Sequence, residues 1–362
     1  MNREAPIPRI ERATPASRAG LAAAILAILF ALSLPWWAER STQRLATEVL
    51  YTLTLAQLWN LLAGYGGMLS VGQQAFVGLG GYCLVALGMH AGLHPFVVVW
   101  LAGLVCAVVA LPTAAIVFRL RGAYFAVGTW VVAEVFRLLT ANSTFLGGGS
   151  GLSITRIAIG IDPWWRDALT LWTALALGVL SIFGIYALMR SRFGLALSSV
   201  RDDESAAASL GVSVRRVKWL VYVAAAAGCG MTGALIFITK LRIAPEAAYS
   251  IDWTIIAFFI VVIGGIGTLE GPLIGTLVYF VLRELLVDYG SWYLVLLGAV
   301  AVGFMLWMPR GSWDAIQRRT DLRFFPVRRR VVWSAPEPSS KNAAQIEGGA
   351  HAAPVLPDPT GR

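Results

Sequence analysis

Long apolar runs alternate with short polar segments along most of the chain. Ten of these runs approach or exceed the roughly 20 helical residues needed to cross the hydrocarbon core of a bilayer. They lie at residues 20–37, 45–63, 71–89, 95–118, 122–140, 168–189, 219–239, 251–266, 272–287 and 292–308. The pattern predicts an all-α polytopic membrane protein with about ten transmembrane helices. The glycine-rich runs also fit broken or re-entrant helices, which proteins tolerate where the backbone is buried.

The first run, residues 20–37, fits either a retained helix or a cleaved signal peptide. Two features favour the retained helix. The run is long for the apolar core of a signal peptide, and Pro35-Trp36-Trp37 is a poor cleavage site.

The distribution of cations predicts the orientation of the chain. With alternating sides and a cytosolic N-terminus, 21 of the 29 Lys and Arg residues fall on the cytosolic side and 6 on the outer side. Cytosolic segments of membrane proteins carry such an excess of Lys and Arg. We therefore expect both termini in the cytosol.

The composition indicates a membrane protein, and its variation along the chain predicts three regions. The chain has 362 residues, of which 57% are hydrophobic and 14% charged, with a mean hydropathy of +0.70, and this excludes an ordinary soluble fold. The net charge of +9 needs no nucleic acid to explain it, because the cations gather between spans and at the ends. The predicted regions are a basic, disordered segment at 1–19, a membrane domain at 20–308, and a basic tail at 309–362 that becomes disordered beyond Ser334.

The longest polar interruption between two apolar runs is residues 190–218, with six cations and an acidic cluster at 202–204. A short helix is predicted between Ser199 and Gly211, capped at its start by Ser199 or Asp202 and closed by a left-handed Gly211. Small residues on one face of this helix would suit docking into a groove of a soluble partner. The alternative is a solvated loop that only joins two spans.

Two glycine-rich segments, residues 64–82 and 262–279, each follow an inward span and begin the return span. They share the short element Gly-x-Leu, at 67–69 and 267–269. Paired, glycine-interrupted segments of this kind mark transport paths in many carriers. Ordinary close packing of helices around a tight turn is the other interpretation.

Few residues indicate chemistry of their own. Glu134 and Arg137 are three residues apart in one span, so they can form a structural ion pair more readily than a proton relay. His90 and His94 have metal-ligand spacing but no third ligand, and the three cysteines have no metal spacing, so no metal site is predicted. The glycines at 147–151 lack the Lys-Ser/Thr of a phosphate-binding loop, so the chain should bind no ATP itself.

Five sequence elements together resemble the LivM-type permeases of branched-chain amino-acid ABC importers. They are NLLAGYGGMLSVGQQAFVGLGGY at 60–82, RGAYFAVGTWVVAE at 121–134, LGGGSGL at 146–152, RDDESAAASLGV at 201–212 and VVIGGIGTLEGPLIG at 261–275. Leu146 and Trp130 depart from the Thr and Leu usual at these positions of the family. The resemblance covers roughly residues 45–318 and keeps the order and spacing of the elements.

The resemblance implies a permease subunit in the bacterial inner membrane, without an ATPase site. Its partners would be a second related permease, two cytosolic ATPase subunits that bind ATP and Mg²⁺, and a periplasmic or lipid-anchored substrate-binding protein. Coupling to the ATPase is expected at Arg201, Asp202, Asp203, Glu204, Ala206, Ala207, Leu210 and Gly211. The path or gate is expected at Gly67, Ser70, Gly72, Gln73, Gln74, Phe76, Gly264, Gly265, Gly267, Glu270 and Gly271.

Other functions stay open at this point. The family also includes permeases for urea, short amides and other small amphipathic solutes, and the elements above mark the scaffold more than the cargo. An ion-coupled secondary transporter would also have about ten spans and broken helices. Such a transporter would need neither a coupling segment nor an ATPase.

Overall fold

Helices form nearly all of the regular structure. The computed structural model describes residues 7–11, 15–286, 292–308, 311–320 and 330–334. Two compact units make up the chain, one of Met1–Pro15 with Arg328–Arg362 and one of Ala16–Val327.

The smaller unit contains one antiparallel strand pair. Strand β1 (Ile7–Glu11) pairs with the last strand, Arg330–Ser334, so that Ile7 lies opposite Ser334. The prediction that residues 1–19 are disordered is therefore wrong for this strand and for the helix that begins at Pro15. The predicted disorder beyond Ser334 lies outside the described residues.

The larger unit is a succession of helices. The helices are α1 (Pro15–Trp37), α2 (Arg40–Asn60), α3 (Gln74–Cys83), α4 (Pro95–Val117), α5 (Ala123–Ala141), α6 (Pro163–Arg190), α7 (Arg192–Asp202), α8 (Glu204–Ser209), α9 (Val214–Lys240), α10 (Pro245–Ala248), α11 (Asp252–Gly264), α12 (Gly271–Leu286), α13 (Trp292–Trp307) and α14 (Gly311–Thr320). Helices α2 and α3 continue as π-helical turns at Leu61–Tyr65 and Leu84–His90. Strands β2 (Leu152–Ser153) and β3 (Arg242–Ile243) pair with each other, and β4 is Arg330–Ser334.

Small residues bring α3, α4 and α9 into close contact at the centre of the fold. A β-carbon added to Gly230 of α9 would lie 2.7 Å from the β-carbon of Cys106 in α4. One added to Gly80 of α3 would overlap the carbonyl of Gly230, and one added to Gly233 would overlap that of Val77. Glycines at such contacts let helix backbones approach closely, which suits helices that gain little from the hydrophobic effect within lipid.

Each of the ten apolar runs coincides with a helix of the larger unit. Within the described residues, six helical segments are long and apolar enough to cross a membrane: Gly20–Trp37, Pro95–Val117, Ala123–Ala141, Pro163–Arg190, Val214–Lys240 and Pro245–Gly264. The chain is thus an α-helical protein with several membrane-spanning helices. The count of ten and the sides of the termini stay predictions.

Two ends of the larger unit differ in their packing. One end, called here the glycine-loop end, contains the segments at residues 64–73 and 265–270, called the glycine loops, together with α7 and α8. The other, called the cavity end, contains the middle of α2, the end of α9 and the second half of α12. Helix α2 contributes to both ends.

Candidate functional site

Two amide side chains near the end of α2 hold the loop at 265–270. Asn60 accepts a hydrogen bond from the backbone NH of Gly267 at 2.8 Å and donates one to the carbonyl of Thr268 at 2.7 Å. Gln57 donates to the carbonyl of Leu269 at 2.8 Å. Both amides are fully buried, so these bonds form away from water, where an unmade bond is costly.

The two glycine loops approach each other closely at the end of α2. A β-carbon added to Gly64 would lie 2.5 Å from the amide nitrogen of Gly267 and would overlap the side-chain oxygen of Asn60. Gly67 and Gly267 have φ angles of 66° and 76°, which favour glycine. The shared Gly-x-Leu element therefore corresponds to the same left-handed turn in both loops.

Arg201, at the end of α7, contacts both glycine loops. Its Nη1 donates to the carbonyl of Gly64 at 2.9 Å. A β-carbon added to Gly67 would lie 3.1 Å from Cγ of Arg201, and one added to Gly267 would lie 3.4 Å from its Nη1. The guanidinium also contacts Asp202 at 3.4 Å. One side chain therefore joins the polar segment to both glycine loops.

Helix α14 packs against the same loops. A β-carbon added to Gly311 would lie 2.6 Å from the backbone nitrogen of Gly265, and Ser312 donates a hydrogen bond to the carbonyl of Gly264 at 3.4 Å. Trp313 is buried at this contact. The first helix of the tail thus belongs to the glycine-loop end.

The polar segment differs from the single helix predicted between Ser199 and Gly211. Helix α7 continues to Asp202. The helical conformation is interrupted at Asp203, whose backbone is extended. Asp203 caps α8, because its carboxylate accepts bonds from the NH groups of Ser205 and Ala206 at 2.7 and 2.9 Å. The proposed caps Ser199 and Asp202 were therefore wrong, whereas Gly211 does take the predicted left-handed conformation, with φ of 84°.

The residues expected on one docking face of this segment lie on two faces. Ala207 is buried against the protein, while Ala206 is exposed and Leu210 is 82% exposed. Glu204 forms an ion pair with Lys218 of α9, which fixes α8 beside that helix. Helix α8, held at Asp203 and Glu204, leaves Ala206 and the residue that follows the helix, Leu210, exposed.

Other residues that were predicted for the path lie deeper in the fold, at a distance from Arg201. Gln73 accepts a hydrogen bond from the thiol of Cys229 at 3.0 Å, and Gln74 accepts one from the hydroxyl of Thr254 at 2.5 Å. Nε2 of Gln73 is buried without a hydrogen-bond partner in the described part of the chain. Phe76 stacks edge-on with Tyr222 of α9 at 5.8 Å. These residues join α3 to α9 and α11.

The remaining predicted path residues shape the loops themselves. Ser70 is buried, and its carbonyl accepts a bond from the indole of Trp59 at 2.9 Å. Gly72 meets the backbone of Thr129, leaving no room for a side chain. Gly264 and Gly271 face each other across the second loop, Gly265 has φ of 131°, and the buried Glu270 precedes α12.

The ion pair predicted within α5 is present. Nε of Arg137 donates to both carboxylate oxygens of Glu134 at 3.0 Å. His90 stacks on Phe145 with ring centroids 4.1 Å apart. Within the described ranges, no group of three or more His, Cys, Asp or Glu residues could hold a metal ion.

Gln57, Asn60 and the ion pair between Glu48 and Arg283 were not predicted from the sequence. A signal for the amides was available, because Gln57 and Asn60 are three residues apart on one face of a predicted span. Like Gln73 and Gln74, these amides need hydrogen-bond partners within a membrane. The pairing of Glu48 with Arg283 has no local signal, since the two residues are far apart in the chain.

The arrangement of the site is better suited to transmitting movement between segments than to catalysis. Its backbone contacts, amide bonds and one guanidinium link a polar segment to two loops between apolar helices. These features define an α-helical, multi-pass membrane protein in which a polar segment contacts two loops between apolar helices.

Comparison with known proteins identifies the family. Residues 41–306 match the family described as branched-chain amino acid transport system / permease component. The chain belongs to this family, and it is therefore a transport subunit that works with other subunits rather than an enzyme.

Curated relatives agree with this assignment. The high-affinity branched-chain amino acid transport system permease protein LivM of Escherichia coli (strain K12) is 30% identical over 309 residues, covering 78% of this chain and 72% of the relative. Its counterpart in Salmonella typhimurium is 29% identical with the same coverage. A probable branched-chain amino acid transport permease protein LivM of Methanocaldococcus jannaschii is 24% identical over 172 residues, covering 47% of this chain and 50% of the relative. No solved structure matches the chain.

Proposed function

We propose that the chain is a transmembrane permease subunit of an ATP-binding-cassette importer that carries branched-chain or related amino acids into the cytosol. It works with a second related permease, two ATPase subunits that hold ATP and Mg²⁺, and a substrate-binding protein on the outer side. The complex lies in the bacterial inner membrane. The family match and the names of the relatives support this assignment.

The glycine-loop end faces the cytosol in this proposal. The cation-rich segment at 190–218 supports this side, because cytosolic segments are enriched in Lys and Arg. The pairing of β1 with β4 supports placing both termini on one side, since the paired strands cannot lie across a bilayer from each other. Ten crossings would satisfy this condition.

The contact of Arg201 with both glycine loops is the observation that carries the mechanism. An importer must pass the closing movement of its ATPase to the membrane helices, and a short helix held rigidly can transmit such a shift. Helix α8 is held by the Asp203 cap and the Glu204–Lys218 pair. Movement of α7 and α8 reaches the carbonyl of Gly64 through Arg201.

The exposed pair of Ala206 in α8 and Leu210 directly after it is the proposed docking surface for the ATPase. Leu210→Ser should weaken ATPase binding about tenfold, because removing a buried apolar anchor from an interface costs about 1 kcal/mol or more. Ser209→Ala, at the neighbouring exposed position outside this pair, is the matched control. The measurement is co-elution of the ATPase with the permease and the rate of ATP hydrolysis in the purified complex.

Ala207→Trp tests a different property. Because Ala207 is buried, a tryptophan there would overpack the contact of α8 with the protein, at a cost of about 1–3 kcal/mol. We expect loss of coupling through displacement of α8. If Leu210→Ser and Ala207→Trp both leave hydrolysis and uptake unchanged, α8 is only a linker.

Purification of the whole complex tests the proposed class. The permease should co-elute with two ATPase subunits and a second permease, and vesicles that contain the complex and its binding protein should take up L-leucine only with ATP. A permease that carries L-leucine down an ion gradient without any ATPase would instead be a secondary transporter. Uptake of urea or acetamide in place of L-leucine would reassign the cargo.

A further inference from the structure

A cavity of about 610 Å³ opens at the cavity end, away from the glycine loops. It lies between the middle of α2, the end of α9, the start of α11 and the second half of α12. Its volume falls within the roughly 300–1,000 Å³ typical of pockets for small molecules. None of the residues predicted for the path or gate lines it.

The wall of the cavity carries charges of both signs. The carboxylates are Glu48, Glu246 and Asp252, and the cations are Lys240 and Arg283. Arg283 donates to Glu48 at 2.6 Å, and the ammonium of Lys240 lies 4.7 Å from the ring centroid of Trp253. Charged groups near a bilayer are costly, so a mixed set around one cavity indicates a ligand that meets both signs.

The deeper lining is largely apolar. Leu55 and Ala257 are buried, and Ile256 is half-buried beside them. Leu55 lies five residues before Asn60 on α2, about 7–8 Å along the helix at 1.5 Å per residue. An aliphatic group that entered this part of the cavity would therefore point towards the closed loops.

We propose that the cavity is a binding site, open to the outer side, for a zwitterionic aliphatic amino acid. The substrate carboxylate binds at the Lys240 side, the ammonium binds at the carboxylates, and the aliphatic side chain lies against Leu55 and Ile256. The proposal rests on the proposed function and refines it. Urea or a neutral amide would make no use of two opposite charges.

Protection of an engineered thiol tests the site directly. Ala247 is exposed and lines the cavity, and the three native cysteines are buried, so Ala247→Cys provides one accessible thiol. Vesicles with outward orientation and the assembled permease and ATPase complex are labelled with a membrane-impermeant maleimide. Ala91→Cys, at an exposed position outside the cavity, is the matched control.

Millimolar L-leucine should slow the labelling of Ala247→Cys at least threefold and leave Ala91→Cys unchanged. Neither 4-methylpentanoate, which lacks the ammonium group, nor urea should protect. Absence of labelling at Ala247→Cys, absence of protection by L-leucine, or equal protection by 4-methylpentanoate would each overturn the proposal.

A charge variant separates recognition from structure. Lys240→Gln in the Ala247→Cys background should abolish protection by L-leucine, whereas Arg242→Gln, at an exposed position outside the cavity, should retain it. Equal protection in both variants would contradict the assigned role of Lys240. Uptake by the wild-type complex distinguishes the two proposals: if L-leucine is taken up but never protects, only the cavity site fails, and if no uptake occurs, the proposed function fails.

Discussion

The two ends of the larger unit differ in how tightly they are closed. At the glycine-loop end, backbone meets backbone at Gly64 and Gly267, and Asn60 bonds to two groups of one loop. At the cavity end, side chains of opposite charge surround an open volume of about 610 Å³. Helix α2 reaches both ends.

In the proposed orientation, with the glycine-loop end in the cytosol, this difference corresponds to a permease that is open outward and closed inward. The closed end depends on contacts without spare volume, so small changes there should have large effects. The open end depends on exposed charges, whose pairing contributes little stability. We therefore expect substitutions at the glycine-loop end to lower stability more than substitutions at the cavity end.

The largest effect is expected for Gly64→Ala. A single methyl group would meet the amide nitrogen of Gly267 and the side chain of Asn60, and such overpacking typically costs about 1–3 kcal/mol. The thermal stability of the purified permease and its uptake should both fall. Gly184→Ala in α6 is the control, because no atom lies within 4 Å of its β-carbon position. Equal tolerance of both changes would remove the distinction between the ends.

Asn60→Ala should follow in size. It leaves the NH of Gly267 and the carbonyl of Thr268 without their partner, and each unsatisfied buried group costs about 1–3 kcal/mol. Asn142→Ala serves as the control, since Asn142 is exposed at the end of α5 and its side chain donates to the nearby carbonyl of Leu138. Unfolding monitored by accessibility of the native cysteines measures both. A stable Asn60→Ala protein would mean that the amide does not hold the loop.

A smaller effect is expected at the cap of α8. Asp203→Ala removes the acceptor for two NH groups and should cost about 1 kcal/mol of local stability, whereas Asp203→Asn keeps an acceptor. Amide hydrogen exchange of residues 204–209 should rise only in the alanine variant. If exchange rises equally in both, the negative charge rather than the cap stabilises α8.

The smallest effect on stability is expected at the cavity end. The double variant Glu48→Gln with Arg283→Gln removes an ion pair whose side chains are 32% and 37% exposed, so the change should be about 0–1 kcal/mol. The melting temperature is the measurement, with Asn60→Ala as the reference. A loss larger than that of Asn60→Ala would reverse the comparison.

Much of the fold could be predicted from the sequence because apolar runs of membrane length have few alternatives. Each of the ten runs overlaps a helix, and the turn at Gly211 has the predicted conformation. The break at Asp203 was missed because Asp202 and Asp203 are equally good caps on local rules, and only the extended backbone of Asp203 decides between them.

The positions of the glycine loops could be predicted from the sequence, but their contact with each other could not. Glycine density marked both segments, while the partners that bring them together, Asn60 and Arg201, lie in other elements. A single sequence contains no information on such long-range pairs beyond the need of buried amides for partners. The close contact of Gly72 with the backbone of Thr129 could not be predicted for the same reason, and the assignment of Gly72 to the path stays a prediction.

The central claim is that Arg201 transmits movement of the polar segment to both glycine loops. The decisive measurement compares ATP hydrolysis with L-leucine uptake in vesicles that contain the complete importer with Arg201→Gln. Arg192→Gln, exposed at the start of α7, is the matched control.

We predict that Arg201→Gln retains assembly and hydrolyses ATP at a rate within about twofold of wild type, while uptake falls about tenfold or more, which corresponds to about 1.4 kcal/mol of lost coupling. Arg192→Gln should behave like the wild type in both assays. Unchanged uptake in Arg201→Gln, or a parallel fall of hydrolysis and uptake, would contradict the account.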